Sequence, residues 1–471
     1  MQRFSQCGNT VGLSPILKGP DRYLTVTRAY CSSSYPSLGL TCPRSLDIAI
    51  KREVQMKTIF AALCLLLCAS ASFAQTSLDP TFGTGGKVTT GFDNVDAQGN
   101  SVAVQRDGKV VVAGTASDLW GNSDFAVARY NSNGTLDENF GTGGKIITDF
   151  GNYDWVSAVA LQSDGKIIEA GATINNYSPI FAVVRYNSNG TLDGNFGSGG
   201  KVTTDFGGPA QPFAAATQQD GKVLVAGFAH LAGGWAFAVV RYNNDGTPDA
   251  TFGTNGKQTI FFGPASSAQV NAIAIQQDGK IVLVGSSNIQ MADADFSLVR
   301  LNSDGTLDNT FGNGGQVVTN LGVNDHAFAA ALQADGKIVA EGMLGNDFAL
   351  VRYNTDGTLD ATFGAGGKVI TDFAGAKDMG LGVGVRTDGK IVAVGQTQVS
   401  GRSAFAVARY NSNGTLDTTF GSGGEATLRF DNSYGDFAYA VAIQPDGKAV
   451  VAGFTVNSVL FQYQFALARF Q

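Results

Sequence analysis

The sequence predicts an all-β chain built from seven repeats of one unit, and three recurring markers predict it. An Asp-Gly-Lys triplet begins at Asp107, Asp164, Asp220, Asp278, Asp335, Asp388 and Asp446, with spacings of 53 to 58 residues. A Phe-Gly pair keeps the same period at Phe82, Phe140, Phe196, Phe252, Phe311, Phe363 and Phe420. An arginine does so at Arg129, Arg185, Arg241, Arg300, Arg352, Arg409 and Arg469. Three markers in seven copies each define one structural unit per period.

Each unit reads as four short strands, labelled a to d. In the second unit these are residues 156–162, 166–171, 181–187 and 201–206. Asp164-Gly165 reads as a two-residue hairpin turn between a and b, because Gly accepts positive φ. Residues 187–193 between c and d are rich in Asn, Asp and Gly, which stabilise turns locally. No stretch after residue 74 sustains a 3.6-residue period. Four antiparallel strands repeated seven times around a closed ring form a seven-bladed β-propeller.

Strand a reads as the innermost. Two of its positions are always tiny: Ser101, Ala158, Ala214, Ala272, Ala329, Gly382 and Ala440, then Ala103, Ala160, Ala216, Ala274, Ala331, Gly384 and Ala442. Strands converging on an axis leave no room for larger side chains there. The repeats open in a c–d link and strand d (residues 78–90) and finish on a strand c (465–470). The first strand is therefore expected to complete the last blade, pairing the N- and C-terminal strands.

The composition agrees. Apolar residues make up 44% and charged residues only 15%, with 62 Gly. That excludes disorder, which needs low hydrophobicity and high charge, and coiled coils, which need charged helix formers.

The unit Gln-x-Asp-Gly-Lys, an apolar strand ending in Ala/Val-Gly, then Phe-Ala-x-x-Arg-Tyr-Asn-x-Asn/Asp-Gly-Thr-Leu-Asp-x-x-Phe-Gly, resembles the delta-60 repeat of bacterial exported β-propellers. The resemblance covers residues 78–471. It implies the propeller fold, export, and a family without an assigned biochemical role, and it carries over no catalytic residues.

The start of the chain points to export independently. Lys57, an apolar run from Ile59 to Cys68, and small residues at Ser72 and Ala74 describe a secretory signal peptide over 56–74. The run is shorter than the ~20 residues of a membrane span. Residues 1–55 show no periodicity. Met56 reads as the true initiator, with a real N-terminal extension as the alternative. The expected location is secreted or periplasmic. All five Cys precede residue 75, so the exported part, residues 75–471, carries no thiol or disulfide. It holds 24 basic and 36 acidic residues, a net charge of −12. Such a surface repels phosphate backbones, so nucleic acid is not an expected partner. The expected form is a monomer.

Alternating strands put the a–b and c–d links on one face of the disc and the b–c and d–a links on the other. The first face is nearly constant among copies and the second varies. Variation over a rigid scaffold marks a binding surface. Trp120, Trp155, Trp235 and Tyr463 all fall on the variable face, where aromatic rings stack on sugars or fill partner pockets. So do Asp154, Asp325, Asp378 and Asp436, each four residues before the first tiny position of strand a. They are expected near the channel mouth, where calcium is a candidate ligand against plain turn roles. The c–d oxygens, such as Asn302, Asp304 and Asp308, are read as turn formers instead of calcium ligands. Each repeated Arg precedes an Asp by eight residues in the first six copies, read as a structural pair. His230 and His326, in different blades and read as loop residues, are too few for a zinc site. Glu169 and Glu341 interrupt strand b and are expected to reach solvent, the channel or a basic partner.

The leading functional expectation is a non-catalytic binding or scaffold module for an extracellular or periplasmic glycan or protein. Two alternatives stand beside it. One is a carbohydrate-active enzyme, because glycoside cleavage needs paired carboxylates and several Asp are expected at the mouth. The other is a purely structural surface protein.

Overall fold

The computed structural model describes residues 77–471 except 94, 119, 152, 264–266, 289–292, 324 and 460. The expected leader at 56–74, the five cysteines and residues 1–55 lie outside the described residues. Among those described, the chain is a seven-bladed propeller of four-stranded antiparallel sheets. Six blades run a-b-c-d in chain order. The seventh is composite: Lys87–Thr90 pairs with Tyr463–Phe470, outside Ala449–Asn457 and Ser433–Ile443. Its register, Lys87 opposite Ala468 and Thr90 opposite Phe465, is the expected closure.

The second blade shows why the strands start and stop where they do. Its strands are Asp154–Leu161, Ile167–Asn175, Ser178–Tyr186 and Lys201–Thr204. The a–b link is not the two-residue turn expected. Gln162 pairs with Lys166 across Ser163-Asp164-Gly165, and the Gly165 N–H donates to Gln162 O at 3.0 Å. Gly165 sits at φ 88°, and Asp164 Oδ1 accepts the Lys166 N–H at 3.1 Å. One left-handed residue suffices for this three-residue loop. The tight two-residue turn lies instead between b and c. There Asn175 faces Ser178, and Asn176 and Tyr177 both have positive φ, at 47° and 63°. With no Gly in it, that turn is invisible to a Gly-based reading, which ended strand b four residues early.

Neighbouring blades are joined by two repeated devices. The first is the arginine. Arg241 Nε donates to Asp249 Oδ2 at 2.7 Å, and its guanidinium lies 4.7 Å from the Phe252 ring. Its Nη1 reaches the Ser303 carbonyl of the next blade. The Asp pair and Phe stack recur in every blade, the carbonyl bond recurs at all junctions but that of Arg185, and Arg469 closes the ring by pairing with Asp79 at 2.8 Å and reaching the Ser132 carbonyl. The structural reading of these pairs holds. The c–d oxygens are likewise engaged within the fold: Asp304 accepts the Thr306 amide and hydroxyl, and Asp308 binds Arg300.

The second device is a buried tyrosine. Tyr130, Tyr186, Tyr242, Tyr353 and Tyr410 each bond a threonine on strand d of the preceding blade: Thr90, Thr148, Thr204, Thr319 and Thr371. At the two remaining junctions both partners change together, to Leu301 with Ile260 and Phe470 with Leu428. A buried hydroxyl left alone is costly, whereas an apolar pair in its place is nearly neutral. Tyr242→Phe should therefore cost about 1–2 kcal/mol by orphaning Thr204. Adding Thr204→Val should recover most of that loss. Thermal melts of the two single variants and the double variant measure the coupling, and additive losses would contradict it.

Candidate binding site at the channel mouth

All seven inner strands line one central cavity of about 520 Å³. Each carries a β-bulge at the same place, such as between Val156 and Ala158 or between Ala438 and Ala440. The extra residue leaves the ladder and turns to the axis. These residues are Asn100, Ser157, Phe213, Asn271, Phe328, Leu381 and Tyr439, and all seven line the cavity together with Trp155, Gln211 and Gln269. The tiny positions lie on the innermost strands, as expected, and begin just after the bulges. A Cβ on Gly382 would come within 3.1 Å of Ala440 Cα on the next inner strand. No lining residue among those described is charged. The Asn100 and Asn271 side chains each donate to a carbonyl of the following blade at 2.7 Å, which fixes their orientation.

The four aromatic candidates do not form one site. Trp155 lines the cavity. Trp235, 37% exposed, reaches it through Phe228 at 4.7 Å and Phe213, 5.9 Å beyond. Tyr463 connects through Phe454 at 5.3 Å to Phe437 and Tyr439. Trp120 stands apart, 90% exposed in the first b–c link. Both histidines lie in strands, not loops. His230 is exposed against Trp235, and His326 stacks on Phe328 near the axis, where burial lowers its pKa. Sequence reasoning missed Phe213, Phe228, Phe328, Tyr439 and Phe454. The available signal was the column just before the first tiny position, which varies from Ser to Phe beside an almost constant neighbour.

The expected acidic ring at the mouth is absent. Asp154, Asp325, Asp378 and Asp436 are all fully buried. Each carboxylate accepts a backbone N–H from the link before its own strand: Phe150 at 2.6 Å, Leu321, Phe373 at 2.6 Å and Phe430 at 3.1 Å. Asp436 also accepts the Ser433 and Thr455 hydroxyls, at 2.7 and 2.6 Å. They fasten the d–a links between blades, one residue out of phase with the channel face. Burial raises the pKa of all four, that of Asp325 to about 6. Two of them belong to carboxylate clusters, Asp124/Asp149/Asp154 and Asp347/Asp372/Asp378, whose oxygens lie within 4.8 Å of one another.

The sequence profile of a family described as "Domain of unknown function (DUF5122) beta-propeller" matches residues 105–140, 162–196, 218–252, 276–311, 333–363 and 386–420. Six segments of the chain thus match the repeats of a β-propeller family. No protein of curated function matches it in sequence. Among solved structures, an inactive variant of virginiamycin B lyase from Staphylococcus aureus with quinupristin is similar at 11% identity, with a TM-score of 0.47, covering 81% of this chain and 98% of that one. A polysaccharide lyase is similar at 12% identity and TM-score 0.46, covering 79% and 90%. A protein of unknown function from Dyadobacter fermentans is similar at 15% and 0.42, covering 83% and 99%.

Glu169 and Glu341 contradict the expectation that they reach solvent, the channel or a base. Both are fully buried between sheets. Glu169 accepts the Tyr186 hydroxyl at 3.0 Å, and burial pushes its pKa up to about 8. Glu341 sits where a Cβ on Gly380 of the next blade would be 2.1 Å from its Oε1. The other inner strands mostly carry Val, Ala or Pro at that position, so the glycine makes room for the acid. A raised folded pKa means full stability below the ordinary value of 4.5 and loss as pH rises toward 8. Subtracting Glu169→Gln melts from wild-type melts should show wild type losing about 1.4 kcal/mol per pH unit across that window, then levelling. A flat difference would mean Glu169 is ionised in the fold.

Proposed function

We propose that this chain is an exported, non-catalytic binding module that takes an uncharged glycan at the channel mouth. The carrying observation is the lining itself: Trp155, Phe213, Phe328 and Tyr439 rise beside Gln211, Gln269, Asn100 and Asn271, with no charged group among them. Flat rings stack on sugar faces, and side-chain amides both donate to and accept from hydroxyls. A lining of this kind gives no attraction to phosphate or peptide charge. The enzyme reading rests on free carboxylates at the mouth, and the four Asp it needs are buried, each with one oxygen held by a backbone N–H group. Among the described residues no helix is long and apolar enough to cross a membrane.

Export is supported by the Lys57 to Ala74 pattern. Expressed with its own leader in a bacterium, the protein should be recovered outside the cytoplasm with Gln75 as its N-terminal residue. An intact leader in the cytoplasm would refute export. A glycan array, followed by calorimetry on the best neutral oligosaccharide, tests the site. Trp155→Ala and Phe213→Ala should each weaken binding by roughly 10-fold or more, as losing a stacking ring costs over 1 kcal/mol. Unchanged affinity in both variants, with melting temperatures intact, would place the ligand elsewhere. A blank array would favour a protein partner or a structural role.

A further inference from the structure

The c–d links of the first six blades run unbroken, and each docks on the blade before it. One carbonyl in each link accepts the N–H of the glycine in the preceding Phe-Gly pair. Gly83 donates to Asn133, Gly141 to Asn189 and Gly364 to Asn413, at 2.7, 3.0 and 2.8 Å. Gly197, Gly253 and Gly312 donate in the same way to Asp245, Asp304 and Asp356.

The link of the composite seventh blade joins the two ends of the described chain, and its flanks keep their places. The Gln471 N–H donates to Ser77 O at 2.7 Å, as Asn131 does to Thr135 at 2.8 Å. The Asp79 N–H donates to Arg469 O, as Asp137 does to Arg129. Ser77 thus stands for Thr135, so Thr76 stands for Gly134 and Gln75 for Asn133. Gly421, the glycine facing this link, is half-buried, and its N–H has no acceptor among the described residues. Arg409 takes the Gln471 carbonyl at 2.7 Å, one link position earlier than the Ser132 carbonyl that Arg469 takes. A cleft of about 630 Å³ lies at this place, and Ser77, Leu78, Phe470, Gly421, Ser422 and Ala426 are among its walls.

An independent feature of the sixth blade says what fits there. In the unbroken links the position of Thr76 is always glycine, and a Cβ on it would crowd the second residue of the neighbouring strand d. It would lie 3.0 Å from Val88 at Gly134, 2.8 Å from Ile146 at Gly190 and 2.9 Å from Val202 at Gly246. Val317 and Val369 stand equally close, at 2.9 Å, to Gly357 and Gly414. In the sixth blade that residue is Ala426. The smaller side chain leaves room for a residue with a Cβ. The left-handed φ of the glycine, 88° at Gly134, belongs to a turn closed by its N–H on the Asn131 carbonyl. The carbonyl in that place, on Gln471, serves Arg409, so Thr76 is free of a φ that threonine disfavours.

We propose that Gln75-Thr76 seats in this cleft as the remainder of the seventh link, the Gln75 carbonyl accepting the Gly421 N–H and the Thr76 side chain packing over Ala426. Two residues separate Ser77 from the expected cleavage point after Ala74, and they span at most ~7 Å. The start of the exported chain therefore falls at the glycine that lacks an acceptor. The ring then has two seals, the strand Lys87–Thr90 and the residues with which the exported chain begins. That the segment ends in a free amino group rests on the export reading; its place beside Gly421 rests on the register of the link alone.

Amide exchange and thermal melts of two chains, one beginning at Gln75 and one at Ser77, test this. Both starts are set by removing a tag, so the result stands wherever the leader is cut, which sequencing of the exported protein decides separately. The Gly421 amide should exchange at least ~10-fold more slowly in the longer chain. The Gly364 amide, whose acceptor Asn413 is present in both, should exchange equally. The longer chain should also melt about 2 °C higher or more. Ala426→Val restores the side chain of the sister blades, so it should speed Gly421 exchange and lower the melting temperature in the longer chain. In the shorter chain it should leave melting unchanged or raise it. Should the shorter chain fail to fold, Ala426→Val in the longer chain still decides. Equal exchange and melting in the two chains overturn the proposal. So does protection of Gly421 that survives Ala426→Val.

Discussion

The propeller depends on a buried arginine in each blade, held by that blade's aspartate and stacked on its phenylalanine, and at six junctions hydrogen-bonded to a carbonyl of the next blade. Hydrophobic contact between sheets is generous but indifferent to register, because Val, Ala and Ile surfaces slide on one another. The guanidinium supplies direction. Its planar fork satisfies a carboxylate and a distant carbonyl at once, in a fixed relative direction that a lysine's single rotatable ammonium does not impose. A lone buried pair of this kind contributes specificity more than stability. In a ring it also sets the angle between blades, and seven equal angles must add up to closure. The Phe-Gly and Asp-Gly-Lys markers belong to the same unit, since Lys222 joins Asp249 at 2.8 Å and Phe252 carries Arg241.

This explains the division between the two faces. The a–b and c–d links hold the arginine centres and cannot change without loosening the ring. The opposite links carry no such duty, so their residues are free to differ. Differences there come in matched sets. Tyr with Thr gives way to Leu with Ile, Asp154, Asp325 and Asp378 accompany Asp124, Asp295 and Asp347 on the strand c before them, and Glu341 faces Gly380. Each set spans two blades, so the junction, not the blade, is the unit within which substitutions compensate.

Most of the architecture was legible because repetition turns a weak local signal into seven concordant ones. Strand order, the innermost strand and the closing strand all followed from Asp-Gly-Lys, the tiny pairs and the position of Phe82. The site was legible only in part. Of the aromatic residues singled out, Trp155 does line the channel. The channel-facing residues, however, are selected by a bulge, and a bulge leaves no residue-type signature when the inserted position is Asn, Ser, Phe, Leu or Tyr. Counting four residues back from the first tiny position therefore set Asp154 and its counterparts near the channel mouth, whereas the extra residue of the bulge turns them into the junctions. Glu169 and Glu341 defeated the sequence for a different reason. A buried acid is tolerated only through partners, Tyr186 and Gly380, that lie a strand or a blade away.

The composite seventh blade has a consequence for biosynthesis. Lys87 meets Ala468 across about 380 residues of chain, a contact whose loop-closure cost falls due only after everything between is made. Until Tyr463–Phe470 leaves the ribosome, the growing molecule is an open arc, with strand Lys87–Thr90 unpaired at one end and a blade flank bare at the other. Unpaired edges invite pairing with another chain. The arc is thus the form in which this protein is exposed to misassembly and proteolysis, and a holdase would be of most use to it then.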